Sequence, residues 1–208
     1  MVTVVQRVKV VVRAAARQLA RGLNALSGGR LTPNAVTWLG LLLHGIIAYC
    51  IITDQWLLAG VLLIIFGLFD TLDGELARLQ GRVSDRGGFL DASTDRIKEV
   101  VLYTAIAYTF AMSDEPRWAA LAVVACGMSI CVSFVKAKGE TIIASKGAKR
   151  SYAELNRLFG GGLFPFEVRM AVLVLGLLTG YLAVALGVIA AGATYTTFQR
   201  LAVISRQL

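Results

Sequence analysis

Long stretches without a single Asp, Glu, Lys or Arg set the first constraint on this chain. They run from Pro33 to Thr53, Trp56 to Phe69, Val100 to Ser113, Trp118 to Val135 and Met170 to Gln199. An uninterrupted apolar helix of about 20 residues matches the hydrocarbon thickness of a bilayer. Hydrophobic residues make up 57% of the 208, and mean hydropathy is +0.69. Both lie beyond ordinary soluble composition. The expected fold is an all-α integral membrane protein with six transmembrane helices, preceded by an N-terminal amphipathic juxtamembrane helix.

Residues 1–208 read as a single membrane domain, with residues 1–29 as the surface helix and residues 32–206 as the six-span bundle. In the first segment Arg7, Lys9, Arg13, Arg17 and Arg21 alternate with Val8, Val11, Val12, Leu19 and Leu23, and no acid interrupts them. That pattern suits a helix lying on a leaflet. No short apolar core with a small-residue cleavage site follows, so no cleavable signal peptide is expected. The spans are expected over about Pro33 to Thr53, Trp56 to Leu79, Asp85 to Met112, Pro116 to Ser145, Phe164 to Thr179 and Tyr181 to Ile204. Between the fourth and fifth, Lys146 to Gly162 is the longest polar connection, and Ser151-Tyr152-Ala153-Glu154 has the spacing of a capping box.

The formal charge is +8. The basic residues gather at the ends of apolar spans, which fits anionic headgroups and phosphorylated substrates and not nucleic acid. Arg117 is the sole Lys or Arg in the turns at one end. The positive-inside rule then puts both termini and the basic connections in the cytoplasm, for a multi-pass protein of the cell (plasma or inner) membrane. Cys50, Cys126 and Cys131 lie in apolar stretches without metal-type spacing and read as buried free thiols. His44, alone on its span, reads as a hydrogen-bonded structural residue.

Against this background the stretch from Asp70 to Asp95 stands out. It holds Asp70, Asp73, Gly74, Ala77 and Arg78, then Gly87, Asp91 and Asp95. At ~100° per residue, the first five fall within roughly 140° of one helix face. The last three share a face of the next helix, because i, i+4 and i+8 stack. A charge inside a spanning helix costs at least ~2.5 kcal/mol, so four carboxylates demand compensation. An all-oxygen set favours Mg²⁺, Mn²⁺ or Ca²⁺. Gly74, Ala77 and Gly87 permit close approach, and Arg78 offers a fork for phosphate oxygens. The stretch therefore describes a divalent-metal site for a diphosphate. A structural ion-pair network with Arg78, Arg82, Arg86 and Arg96, or a cation pathway in a transporter, would be alternatives. Neither requires small residues and an arginine beside the acids.

The spacing Asp-x-x-Asp-Gly-x-x-Ala-Arg, eight residues, Gly-x-x-x-Asp-x-x-x-Asp resembles the signature of the CDP-alcohol phosphotransferases at every fixed position. Thr32-Pro33-Asn34 resembles the opening of that family's first span. The resemblance implies an enzyme that joins a CDP-lipid to a small alcohol and releases CMP. It implies metal binding by Asp70, Asp73, Asp91 and Asp95, Mg²⁺ with Mn²⁺ as a possible substitute, and Asp95 as general base. The CDP-lipid is expected at Pro33, Asn34, Asp70, Gly74, Arg78, Ser84 and Gly87.

A narrower resemblance, to prokaryotic phosphatidylinositol phosphate synthases, rests on Ser133-Phe134-Val135-Lys136-Ala137-Lys138-Gly139-Glu140, Arg169 and Gln199-Arg200-Leu201. Here Lys138 stands for an arginine and Gly139 for an alanine. It implies inositol 1-phosphate as acceptor, with Ser133, Lys136, Lys138, Arg169 and Arg200 on its phosphate. Glycerol 3-phosphate as acceptor, or an archaeol lipid in place of diacylglycerol, would use the same chemistry. The family also implies a homodimer, through the third and fourth spans, where Gly127 and Ser129 are small enough for close contact.

Overall fold

The computed structural model describes residues 4–145 and 162–207, and these form helices joined by short turns. The Lys146–Gly162 connection up to residue 161, its capping-box sequence and the side chains of the first eleven residues lie outside the described set. In chain order the helices are α1 (Val4–Leu26), α2 (Pro33–Ile52), α3 (Trp56–Gly67), α4 (Phe69–Leu79), α5 (Asp85–Ala111), α6 (Arg117–Ser145), α7 (Phe166–Thr179) and α8 (Leu182–Ser205).

Local chemistry sets several boundaries. Thr32 caps α2, its Oγ1 accepting from Ala35 N at 3.3 Å, and Pro33 opens the first turn. Ser84 does the same for α5, accepting from Gly87 N at 3.1 Å. Gly180 ends α7 in the left-handed region, at φ 77°, which a residue without a Cβ adopts at no steric cost.

The second expected span is present over Trp56–Leu79, with one interruption. Its helical hydrogen bonding breaks at Leu68, and the first half of the acidic stretch lies on the separate helix α4. Among the described residues, four segments are long and apolar enough to cross a membrane: Pro33–Ile52, Trp56–Leu79, Arg117–Ile143 and Leu182–Ser205. At 27 residues α5 is long enough, but its first half carries the acids and their partners, while α7 has 14 residues.

Six elements close into a ring. α2 packs on α5, α5 on α6, α6 on α8, α8 on α7, α7 on α3 and α3 back on α2. The core fills one end of this ring with Ile47 and Ile51 of α2, Leu102, Tyr103 and Ile106 of α5, Leu173 and Leu177 of α7, and Leu182, Leu186 and Ile189 of α8. α4 and α1 stand at the opposite end, where a smaller cluster of Ala20, Val36, Leu72 and Leu76 joins α1, α2 and α4. The acids sit in this second end because the core has no place for them.

Two residues differ from expectation. Ser129 is fully buried and points at Tyr103 Oη, 3.5 Å away, so it is no part of an outer contact face. Gly127 does lie on the outside. Cys131 is exposed where a buried thiol was expected, because it falls on the outer face of α6. His44 is buried, with Nδ1 2.7 Å from Gly40 O, as a structural histidine should be.

Candidate active site

α4 and the start of α5 face each other across the Gln80–Ser84 turn, so the two halves of the acidic stretch meet. Two cavities open there. The smaller, of about 180 Å³, is lined by Pro33, Asn34 and Thr37 of α2, Asp73, Gly74, Ala77 and Arg78 of α4, and Ser84, Gly87 and Asp91 across the turn. The larger, of about 690 Å³, is lined by Asp91, Asp95 and Arg96 of α5, Ser133, Lys136 and Glu140 of α6, Phe166 and Arg169 of α7, and Arg200 of α8. Asp91 lies in the wall of both.

This placement sorts the expected residues. Pro33, Asn34, Gly74, Arg78, Ser84 and Gly87 line the smaller cavity. Asp70 does not line it and instead meets Lys98 Nζ at 2.5 Å. Ser133, Lys136, Arg169 and Arg200 line the larger cavity. Lys138 is exposed and outside it. Two residues on from Lys136 is about 200° of helical rotation, so the two lysines leave opposite faces of α6. Lys138 is therefore removed from the set that faces the larger cavity.

The acids are tied down by partners that spacing did not reveal. Asp73 Oδ2 accepts from Thr37 Oγ1 at 2.6 Å. Buried Lys98 also reaches Asp95 Oδ1 at 3.2 Å. Glu75, buried within the first half of the motif, holds Arg78 at 2.7 Å and Arg17 of α1 at 3.2 Å. That pair fastens α1 onto α4, helped by Gln80 Nε2 donating to Asn24 Oδ1 and Leu31 O, both at 2.8 Å. Lys98 follows Asp95 by three residues, a spacing that pairs charges on a helix. That was the available signal; Thr37 offered none.

On the larger cavity's floor, Arg169 is fully buried and donates to Glu99 Oε1 at 2.8 Å and to Phe164 O at 3.1 Å. Glu99 Oε2 lies 3.3 Å from Arg96 Nη1, off the hydrogen-bond direction, so that attraction is electrostatic alone. Arg96 also contacts Ser133 Oγ and stacks 5.1 Å above the Phe166 ring. Arg200 donates to Val132 O at 2.7 Å. Burying this much charge is tolerable only because each member has a partner.

Among the described residues, no three acids, histidines or cysteines already stand as a closed coordination shell. Lys98 pairs with both Asp70 and Asp95. The donor chemistry nonetheless fits a hard divalent cation. Asp91 Oδ1 is buried without a hydrogen-bond partner, and an anionic oxygen in that position calls for a cation.

Comparison with known proteins agrees with this geometry. The profile of the CDP-alcohol phosphatidyltransferase family matches residues 30–199. A phosphatidylinositol phosphate synthase of Corynebacterium glutamicum is 35% identical over 181 residues, covering 83% of this chain and 77% of its own. The crystal structure of a Mycobacterium tuberculosis phosphatidylinositol phosphate synthase with CDP-DAG bound superposes with a TM-score of 0.76. It shares 24% identity and covers 91% of this chain and 92% of its own. The same protein in complex with manganese and citrate gives a TM-score of 0.77 at 24% identity, covering 91% and 88%. At that identity the two structures speak for a shared fold, while the matched profile spans the smaller cavity, the larger one's lining except Arg200, and every fixed position of the acidic stretch. The chain belongs to the CDP-alcohol phosphatidyltransferase family.

Proposed function

We propose that this enzyme transfers the phosphatidyl group of CDP-diacylglycerol to the hydroxyl of inositol 1-phosphate and releases CMP. One observation carries the reading: two cavities of different chemistry meet at Asp91, with Asp95 on the side of the larger one. The smaller offers small residues and the Arg78 fork to a nucleotide diphosphate. The larger offers Ser133, Lys136, Arg169 and Arg200 to an anion already on the acceptor, with room for a polyol beside it.

In this reading Asp95 takes the proton of the acceptor hydroxyl as that oxygen attacks the phosphorus bearing the lipid. The bond from that phosphorus to the CMP oxygen breaks, and CMP leaves with the electron pair. A carboxylate placed on the hydroxyl suffices as base. Thr37 fixes Asp73, and Glu75 fixes Arg78, so the nucleotide meets groups already in place. A divalent cation among Asp70, Asp73, Asp91 and Asp95, Mg²⁺ or Mn²⁺, neutralises the diphosphate when bound. The C. glutamicum relative's name supports the acceptor, and the mycobacterial structures with CDP-DAG and with manganese support the donor and the metal.

The same reading makes residues 1–208 one membrane domain. Its six spans cross the cell membrane, α1 rests on the cytoplasmic leaflet, and both termini and the site face the cytoplasm. Support comes from Arg117 being the sole Lys or Arg in the turns at the far end. A homodimer through α5 and α6 is included.

Purified protein with Mg²⁺, CDP-diacylglycerol and labelled inositol 1-phosphate should release CMP and form a labelled lipid. Turnover with glycerol 3-phosphate and none with inositol 1-phosphate would replace the acceptor while keeping the chemistry. Ion flux in liposomes without nucleotide, and no turnover with either acceptor, would reject it altogether.

A further inference from the structure

α1 carries cations and no acid to answer them. The first 53 residues hold neither Asp nor Glu, so any carboxylate that α1 meets must come from another element. Arg13, Arg17 and Arg21 follow one another at i, i+4 and i+8 and share one face of α1, and all three are exposed. Arg17 Nε donates to Oε2 of Glu75 in α4 at 3.2 Å. α1 comes this close because Ala16 and Ala20, one turn apart, are buried, and Ala20 packs with Leu72 and Leu76 of α4.

Glu75 divides its two oxygens between two arginines. Oε1 accepts from Arg78 Nη1 at 2.7 Å, while Oε2 faces Arg17. Arg78 lines the smaller cavity, and its head lies near Gly74, where a Cβ would stand 3.7 Å from Nη1 and 3.9 Å from Nη2. A carboxylate with both oxygens on one guanidinium closes the fork into a bidentate pair. A carboxylate whose second oxygen is held elsewhere leaves half of the fork for phosphate oxygens.

We propose that Arg17 is a positioning residue of the donor site: by holding Glu75 Oε2 it keeps Glu75 from closing on Arg78, so α1 tunes the smaller cavity for a nucleotide diphosphate without touching it. The inference rests on the CDP-lipid reading of that cavity given above. Charge points the same way. One glutamate between two arginines leaves a net positive charge beside the cavity, whereas Glu75 and Arg78 alone would be neutral and attract a diphosphate less.

The test is steady-state CMP release by the purified full chain in micelles of an uncharged detergent, with CDP-diacylglycerol and then the phosphorylated acceptor varied. Arg17→Gln should raise the KM for CDP-diacylglycerol about twofold to fivefold, the scale of a solvent-screened pair. Its kcat and its KM for the acceptor should stay at the wild-type values. Arg13→Gln, on the same stripe, should leave the donor KM unchanged. In a Glu75→Gln background, adding Arg17→Gln should raise the donor KM no further, because the carboxylate through which Arg17 acts is gone. An unchanged donor KM in Arg17→Gln overturns the proposal, whether or not the Glu75 variants fold. So does an equal rise in Arg13→Gln, which would make the effect one of general surface charge. So does an equal rise from Arg17→Gln with and without the Glu75 carboxylate, which would make it one of α1 packing. These outcomes leave the CDP-lipid reading standing. A wild type that releases no CMP with inositol 1-phosphate or glycerol 3-phosphate overturns both.

Discussion

The proton-transfer role proposed for Asp95 can be tested through its surroundings. Its carboxylate is in contact with Lys98 and 3.8 Å from Arg96 Nη2, so Asp95→Asn keeps the side chain's size and loses its basicity. Turnover should fall about a hundredfold to ten-thousandfold, the usual contribution of a general base. CDP-lipid binding, followed by ligand-induced thermal shift, should stay near wild type. Wild-type turnover in this variant would remove Asp95 from the role. The cations of the larger cavity permit a sharper comparison. Arg200→Ala and Lys136→Ala should each raise the KM for the phosphorylated acceptor about tenfold to hundredfold, since charged hydrogen bonds contribute roughly 1.5–3 kcal/mol. The KM for the CDP-lipid should move little. Lys138→Ala should leave both unchanged, because that side chain lies outside the cavity. Equal effects of all three would return them to the role of positive-inside anchors. The resemblance grouped Lys136 with Lys138; helical rotation separates them.

Helix contacts explain departures that the sequence left bare. Gly139 packs against Ile204 where α6 and α8 meet near the larger cavity. A Cβ there would stand 2.8 Å from Ile204 Cδ1 and 2.9 Å from its Cγ2. The branch-point methyl cannot turn aside as freely as the chain end, so α6 or α8 must shift. Gly139→Ala should destabilise by about 1–3 kcal/mol, the usual cost of overpacking. A lower melting temperature in detergent is the measurement, and an unchanged one would mean that the two helices part without strain. The break at Leu68 belongs to this scale as well. The second span holds over Trp56–Leu79, interrupted once at Leu68, and its acidic half is fastened to α1 through the Arg17–Glu75 pair. The half-exposed arginine makes that pair weak alone. Its effect comes from joining the same Glu75 that orients Arg78.

For the whole molecule, the ring of helices gathers its buried apolar core at one end and its ionisable groups at the other. A bilayer accepts such a polar end at headgroup depth. The prediction is topological: reporters fused after Gln207 and before Thr3 should both read cytoplasmic, and one inserted between Ser113 and Pro116 should read external. Any other pattern would overturn the orientation drawn from Arg117. In mild detergent the mass should be that of a homodimer, with Gly127 and not Ser129 at the contact.

The sequence by itself determined the helical class, the approximate ends of most helices, and the pairing of the two halves of the acidic stretch. These follow from short-range rules: apolar length, caps and the helical repeat act within one segment and leave their mark in residue order. It also determined the family, because a fixed spacing of acids, glycines and arginine is itself a sequence property. Tertiary structure decided what crosses from one helix to another. Thr37 on Asp73, Lys98 between Asp70 and Asp95, and Glu99 beneath Arg169 join residues 36, 28 and 70 positions apart, or only three in the case of Lys98 and Asp95. No spacing rule names the first of these, since a threonine on an apolar helix has the same local pattern whether it meets a carboxylate or lipid. The division into two cavities is likewise absent from the chain's order. It arises because Asp91 lines both cavities while Asp95, one helical turn on, lines only the larger, once the ring has closed with α5 between α2 and α6.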